Sequence, residues 1–176
     1  MKLYVARHGQ TQYNADNRIC GITDLPLTQT GVEQAKNLAQ QLKDKDIEVI
    51  IASPLIRAQQ TAAQVSSVTG VPVFTVVRLT EQNYGIYEGK DRKDSGFLAN
   101  KRHFALRYPQ GESMMQVAAR VYPLIDEIKH KYSGKNVLLV CHGGVCRVIK
   151  TYFEDMTNEE YFGYSPDNAF VAEYGL

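Results

Sequence analysis

Three short aliphatic runs each stop on residues that bind anions or attack electrophiles. Lys2–Ala6 leads into Arg7-His8-Gly9, Val49–Ala52 into Ser53-Pro54 and then Arg57, and Val137–Cys141 into His142-Gly143-Gly144. Near-continuous β-branched and aliphatic runs mark strands covered on both faces, as in parallel sheets. Val71–Val77 reads as a further strand and Ala169–Tyr174 as an edge strand. Helical patterns lie between the strands. Thr30-Gly31-Val32-Glu33 reads as a capping box, after which Val32, Ala35, Leu38, Ala39 and Leu42 line one face. Leu55–Val68 repeats Ala58, Ala62 and Val65 at helical spacing, and Val145–Phe153 reads as a short helix. Ser113–Tyr132 is the longest pattern, with Pro123 expected to kink it.

Strands alternating with helices predict an α/β fold: a three-layer α/β/α sandwich around a mostly parallel central sheet. The whole chain, residues 1–176, is expected to form one domain. Gly85–Gly111 breaks the rhythm. It is polar and carries Lys90, Arg92, Lys93, Lys101, Arg102, His103 and Arg107, so it reads as a partly helical insertion capping one end of the sheet.

A net charge of +1 gives no reason to expect nucleic acid or a membrane as partner. Any anion must therefore be held by a local cluster of charge. The first apolar stretch breaks at Arg7, too short for a signal peptide, and no run has the length of a membrane-spanning helix. Cys20, Cys141 and Cys146 form no C-x-x-C pair, which fits a reduced, cytoplasmic setting. Cys141 and Cys146 flank the histidine loop and read as small buried apolar residues. Tyr161-Phe162-Gly163-Tyr164 reads as core packing. Oligomeric state leaves no legible mark.

Ligands of open α/β sheets bind at the carboxyl ends of the strands, so Arg7, His8, Arg57 and His142-Gly143-Gly144 should meet on one rim, with Glu81 able to join them. This set suits a phosphate ester. Guanidinium forks hold phosphoryl oxygens, and amides at a helix N-terminus add donors. A neutral imidazole attacks phosphorus, favoured by nearby positive charge, and a carboxylic acid protonates the leaving group. Zinc is disfavoured because the histidines lack ligand spacing and two arginines would repel it. A serine triad lacks its G-x-S-x-G elbow.

The chain resembles the histidine phosphatase superfamily in its phosphoglycerate-mutase-like branch. The resemblance rests on Arg7-His8-Gly9-Gln10-Thr11 with Asn14, Asp24-Leu25-Pro26-Leu27-Thr28 with Gly31, and Ser53-Pro54-Leu55 with Arg57-Ala58 and Gln60-Thr61-Ala62. Glu81 with Tyr84-Gly85, Gly111-Glu112-Ser113 and His142-Gly143-Gly144 with Arg147 complete it. It implies that His8 is the phosphorylated nucleophile, that Arg7, Arg57 and His142 form the phosphate pocket, and that Glu81 is the proton donor. Asn14 is expected near the phosphate or as a turn residue, and Gly143 as an amide donor. Gln10 and Thr11 are read as supporting groups. Glu88 rivals Glu81, Glu112 is read at the start of the long helix, and Arg147 as helix support or the partner of an acid. The short insertion favours a phosphomonoesterase acting on a small phosphorylated metabolite, with no cofactor and no metal. A phosphoglycerate mutase and a catalytically silent phosphate-binding protein are the alternatives.

Overall fold

The computed structural model describes residues 1–176. Strand β1 (Lys2–Arg7) is followed by the short helix α1 (Gln12–Ala15) and by α2 (Gln29–Leu42). Next come β2 (Val49–Ala52), α3 (Ile56–Thr69) and β3 (Val73–Thr75). After α4 (Ser95–Lys101) and the long α5 (Met114–Lys131), β4 (Val137–Cys141) leads into α6 (Gly143–Phe153). Helix α7 (Asn158–Gly163) and β5 (Val171–Gly175) close the chain.

The five strands form one sheet in the order β3-β2-β4-β1-β5. All pairs are parallel except β1 with β5, so the predicted edge strand is antiparallel. Because successive strand residues point to opposite faces, the sheet supports two cores. Leu3, Val5, Ile51, Leu139 and Cys141 face α5 and α6, packing on Val121, Ile125 and Ile149. Tyr4, Ala6, Ile50, Leu138 and Val140 face α2 and α3, packing on Leu38, Ala58, Ala62 and Val65. The predicted three-layer sandwich is present.

Several local expectations change. The N-cap of α2 is Thr28, whose hydroxyl accepts from the Gly31 amide, so Thr30 lies inside the helix. The strand expected over Val71–Val77 shrinks to three residues at the sheet edge. Pro72 has no N–H to give a ladder, and Phe74 and Val77 are exposed. Helix α5 runs through Pro123 without interruption. Tyr161 is buried, as core packing requires. The Gly85–Gly111 insertion has an aromatic core of its own: Phe97 stacks on Tyr108 with ring centres 5.5 Å apart, and Tyr84 and Tyr87 pack against both. No helix is long and apolar enough to cross a membrane.

Candidate active site

Parallel β1, β2 and β4 pair in register from Val137 to Cys141, so the loops after them leave the same rim. His8, directly after β1, is fixed first by its backbone: its amide donates to Cys141 O at 3.0 Å and its carbonyl accepts from Asn168 Nδ2 at 3.1 Å. The His8 ring lies 2.6 Å, through Nδ1, from the Gly9 carbonyl. A carbonyl can only accept, so Nδ1 carries the proton and Nε2 keeps its lone pair.

Arg57, fully buried on the first turn of α3, supplies the second element. Its Nε–H lies 3.2 Å from both His8 Nε2 and His142 Nδ1. The one hydrogen is shared between two imidazole lone pairs, which requires both rings to be neutral at those atoms. His142 then carries its proton on Nε2 and donates to Ser53 Oγ at 2.7 Å. Burial, followed by the charge of Arg57, holds both histidines well below their ordinary value of 6.5. The Arg57 fork is occupied by backbone: Nη1 donates to Thr23 O at 2.8 Å and Nη2 to Gly21 O at 2.6 Å. It therefore presents an edge to the histidines, where the residue pattern suggested an open fork.

Glu88 explains how that loop is held. Its carboxylate accepts from the amides of Gly21, Ile22, Thr23 and Tyr84 and from the Thr23 hydroxyl, at 2.7 to 3.3 Å. The two carboxylates are differently placed: Glu88 shapes the cradle of Arg57, and Glu81 lines the cavity. Glu81 accepts from the Gly144 amide at 2.9 Å and the Gln82 amide at 2.8 Å. The Gly144 amide is thus occupied by a carboxylate, where a phosphate contact was expected.

A cavity of about 120 Å³ opens in front of these groups, walled by Arg7, His8, Asn14, Glu81, Gly143 and residues of the insertion and α6. Arg57 and His142 lie behind His8, fully buried. Arg7 donates through Nη1 to Pro166 O at 2.5 Å, while its buried Nε finds no partner in the protein. Gly143 lies alongside, where an added Cβ would stand 3.6 Å from that Nε. Asn14 both lines the cavity and closes the capping box of α1, accepting from Thr11 N and Asn168 Nδ2 at 3.1 and 3.2 Å. Gly9 is needed for close packing: an added Cβ would lie 2.3 Å from Gly31 O. Gln10 and Thr11 serve the surrounding loops, through Gln34, Thr28 and the α1 cap.

Sequence reasoning missed Asn168, and it quoted Ser53 and Thr61 without a role, although Thr61 Oγ1 accepts from Gly9 N at 3.1 Å. Asn168 follows no strand and carries no motif, so nothing local announced it. Glu112 pairs with Arg120, whose Nη2 also reaches the Glu81 carbonyl at 3.3 Å. Cys141 and Cys146 are buried free thiols.

A model of the histidine phosphatase superfamily (branch 1) matches residues 3–175, and the chain belongs to that superfamily. A Yersinia pestis protein named as a probable phosphoglycerate mutase is 35% identical over 151 residues, 81% of this chain and 70% of that one. A mycobacterial glucosyl-3-phosphoglycerate phosphatase, solved in complex with VO3, superposes with a TM-score of 0.88 at 30% identity, covering 98% of this chain and 91% of that one. The alpha-ribazole phosphatase of Shigella flexneri gives 0.85 at 29% identity, covering 98% and 89%.

Proposed function

We propose that the chain is a phosphomonoesterase that hydrolyses a small phosphorylated metabolite through a phosphohistidine on His8, without a metal. The observation that carries this reading is the shared Arg57 Nε–H, which with the Gly9 carbonyl leaves Nε2 unprotonated on the His8 ring, a residue that lines the cavity.

In the first half-reaction the Nε2 lone pair forms the N–P bond while the ester P–O bond breaks, and Glu81 protonates the departing alkoxide. Bond formation at Nε2 frees the Arg57 Nε–H, which can turn to a phosphoryl oxygen. Arg7, Asn14 and Gly143 hold the phosphoryl group from the cavity side, and His142 and Arg57 from behind. In the second half-reaction Glu81, now a carboxylate, takes a proton from water. The water oxygen bonds to phosphorus, the N–P bond breaks, and phosphate and neutral His8 are released. Two arginines beside the reacting atoms supply the positive charge that a metal would otherwise bring.

The mutase reading is favoured by the name of the Yersinia relative. Against it stands the short insertion over the site, whose one α-helix, α4, has seven residues. The test is turnover of p-nitrophenyl phosphate with and without EDTA, and of phosphoglycerates with a bisphosphate primer. Hydrolysis undiminished by EDTA and lost in His8→Ala is expected. Primer-dependent transfer between hydroxyls, without release of phosphate, would establish the mutase instead, and binding without turnover the silent module.

A further inference from the structure

The loop between α7 and β5 clamps the end of β1. Arg7 N donates to Phe170 O at 3.0 Å and Ala169 N to His8 O at 3.2 Å. His8 O also accepts from Asn168 Nδ2 at 3.1 Å, so both lone pairs of the nucleophile's carbonyl are taken. Ala169 holds a left-handed φ of 59°, a conformation disfavoured for a residue with a Cβ. The loop adopts it where a backbone amide and the neighbouring side chain converge on one carbonyl.

The second hydrogen of Asn168 Nδ2 goes to Asn14 Oδ1 at 3.2 Å. That oxygen also accepts from Thr11 N and Thr11 Oγ1, both at 3.1 Å. Two backbone groups fix which way these amides face. Thr11 N can only donate, so the Asn14 atom beside it is the oxygen. His8 O can only accept, so the Asn168 atom beside it is the nitrogen. Asn14 Nδ2 is left without a protein partner and is not sealed from solvent, and Asn14 lines the cavity with Arg7 and His8. An amide held this way has a donor to give a phosphoryl oxygen, where the flipped amide would present a lone pair.

The Thr11 cap alone does not place Asn14 against His8. Helix α1 has four residues and buries none of them, too little to hold its own position. Asn168 bonds both Asn14 and His8, yet it is not part of the cavity wall. Resting on the phosphomonoesterase reading, we infer that Asn168 is a positioning residue: it ties the Asn14 amide to the nucleophile's backbone and keeps Asn14 Nδ2 available as a phosphoryl donor.

The test is a double-mutant cycle with p-nitrophenyl phosphate as substrate and inorganic phosphate as inhibitor. Its four proteins are the wild type, Asn168→Leu, Asn14→Ala and the double variant. Asn168→Leu keeps the outline of the side chain and removes both donors. It is expected to lower kcat/KM tenfold or more and to weaken phosphate inhibition at least fivefold. In the Asn14→Ala background the same substitution should cost threefold or less in kcat/KM, the remainder reporting the bond to His8. An equal factor in both backgrounds, or unchanged kcat/KM in folded Asn168→Leu, would overturn the positioning role while leaving the hydrolase intact. Asn168→Ala takes the place of the leucine variant in the cycle if the latter does not fold. Absence of turnover by the wild type would overturn the hydrolase. Calorimetric affinity for inorganic phosphate in the same four proteins would then decide the positioning role, by whether the two losses are less than additive.

Discussion

Gly144 donates its backbone amide to Glu81 Oε2 at 2.9 Å, and an added Cβ on Gly144 would stand 2.6 Å from Glu81 Oε1. The first turn of α6 therefore sets the position of the proposed proton donor, and only glycine leaves room for it. Gly144→Ala should displace the carboxylate and lower kcat at least tenfold with little change in thermal stability. Glu81→Gln should lower kcat by about 10²–10⁴-fold, the usual scale of general acid–base catalysis. Steady-state kinetics on an aryl phosphate and on an alkyl phosphate check both. The alkyl ester should suffer more, because its leaving group is the poorer one and depends more on the proton.

Arg120 acts on the same carboxylate from a distance. It pairs with Glu112 at 3.2 Å and donates to the carbonyls of Arg78 and Glu81, while Glu112 accepts from Asn83 N at 3.0 Å. These bonds brace both sides of the Glu81 loop. Arg120→Met should cost about 1–3 kcal/mol, the usual penalty for orphaning partly buried hydrogen-bonding groups, read as a lower denaturation midpoint. It should also lower kcat with KM nearly constant, and Arg120→Lys should restore part of kcat. A stability loss with kcat unchanged would reduce the pair to a structural role.

Both site histidines are neutral in the fold and protonate less readily than in the unfolded chain, where their pKa is near 6.5. Below that value the unfolded chain binds more protons than the folded one, so stability falls with falling pH. The contribution is complete above about pH 6.5 and is lost progressively toward the depressed folded values. Melting temperatures between pH 7.5 and 5 should therefore decline, and the decline should be shallower in His142→Asn. The acidic limb of kcat/KM should likewise lie below 6.5, because Nε2 of His8 stays unprotonated there. A limb at or above 6.5 would contradict the shared Arg57 hydrogen bond.

The sheet and the approach of Arg7, His8, Arg57 and His142 to one rim were legible because strand periodicity and parallel topology are written locally. Glu81 could be placed with the rim residues from its position in the chain, but its preference over Glu88 as proton donor came only through the superfamily resemblance, since nothing near it separates the two. What distinguishes them is tertiary: five donors converge on Glu88 from two loops. The role of the Arg57 fork was misread for the same reason, because the carbonyls of Gly21 and Thr23 come from a loop more than thirty residues away. The end of the chain returns to the site through Asn168, a contact set by the β5 pairing and invisible to any window of sequence. The strand over Val71–Val77 failed because aliphatic content outweighed Pro72 and the exposure of an edge.

The central claim is that His8 carries the phosphoryl group. The most direct measurement is acid-sparing quench of the protein during turnover of a phosphate ester, followed by peptide mapping by mass spectrometry. One acid-labile, alkali-stable phosphoryl group on the peptide containing Arg7-His8-Gly9 is predicted, absent from His8→Ala, which should lose turnover. A phosphoryl group on His142, or full turnover by His8→Ala, would contradict the account.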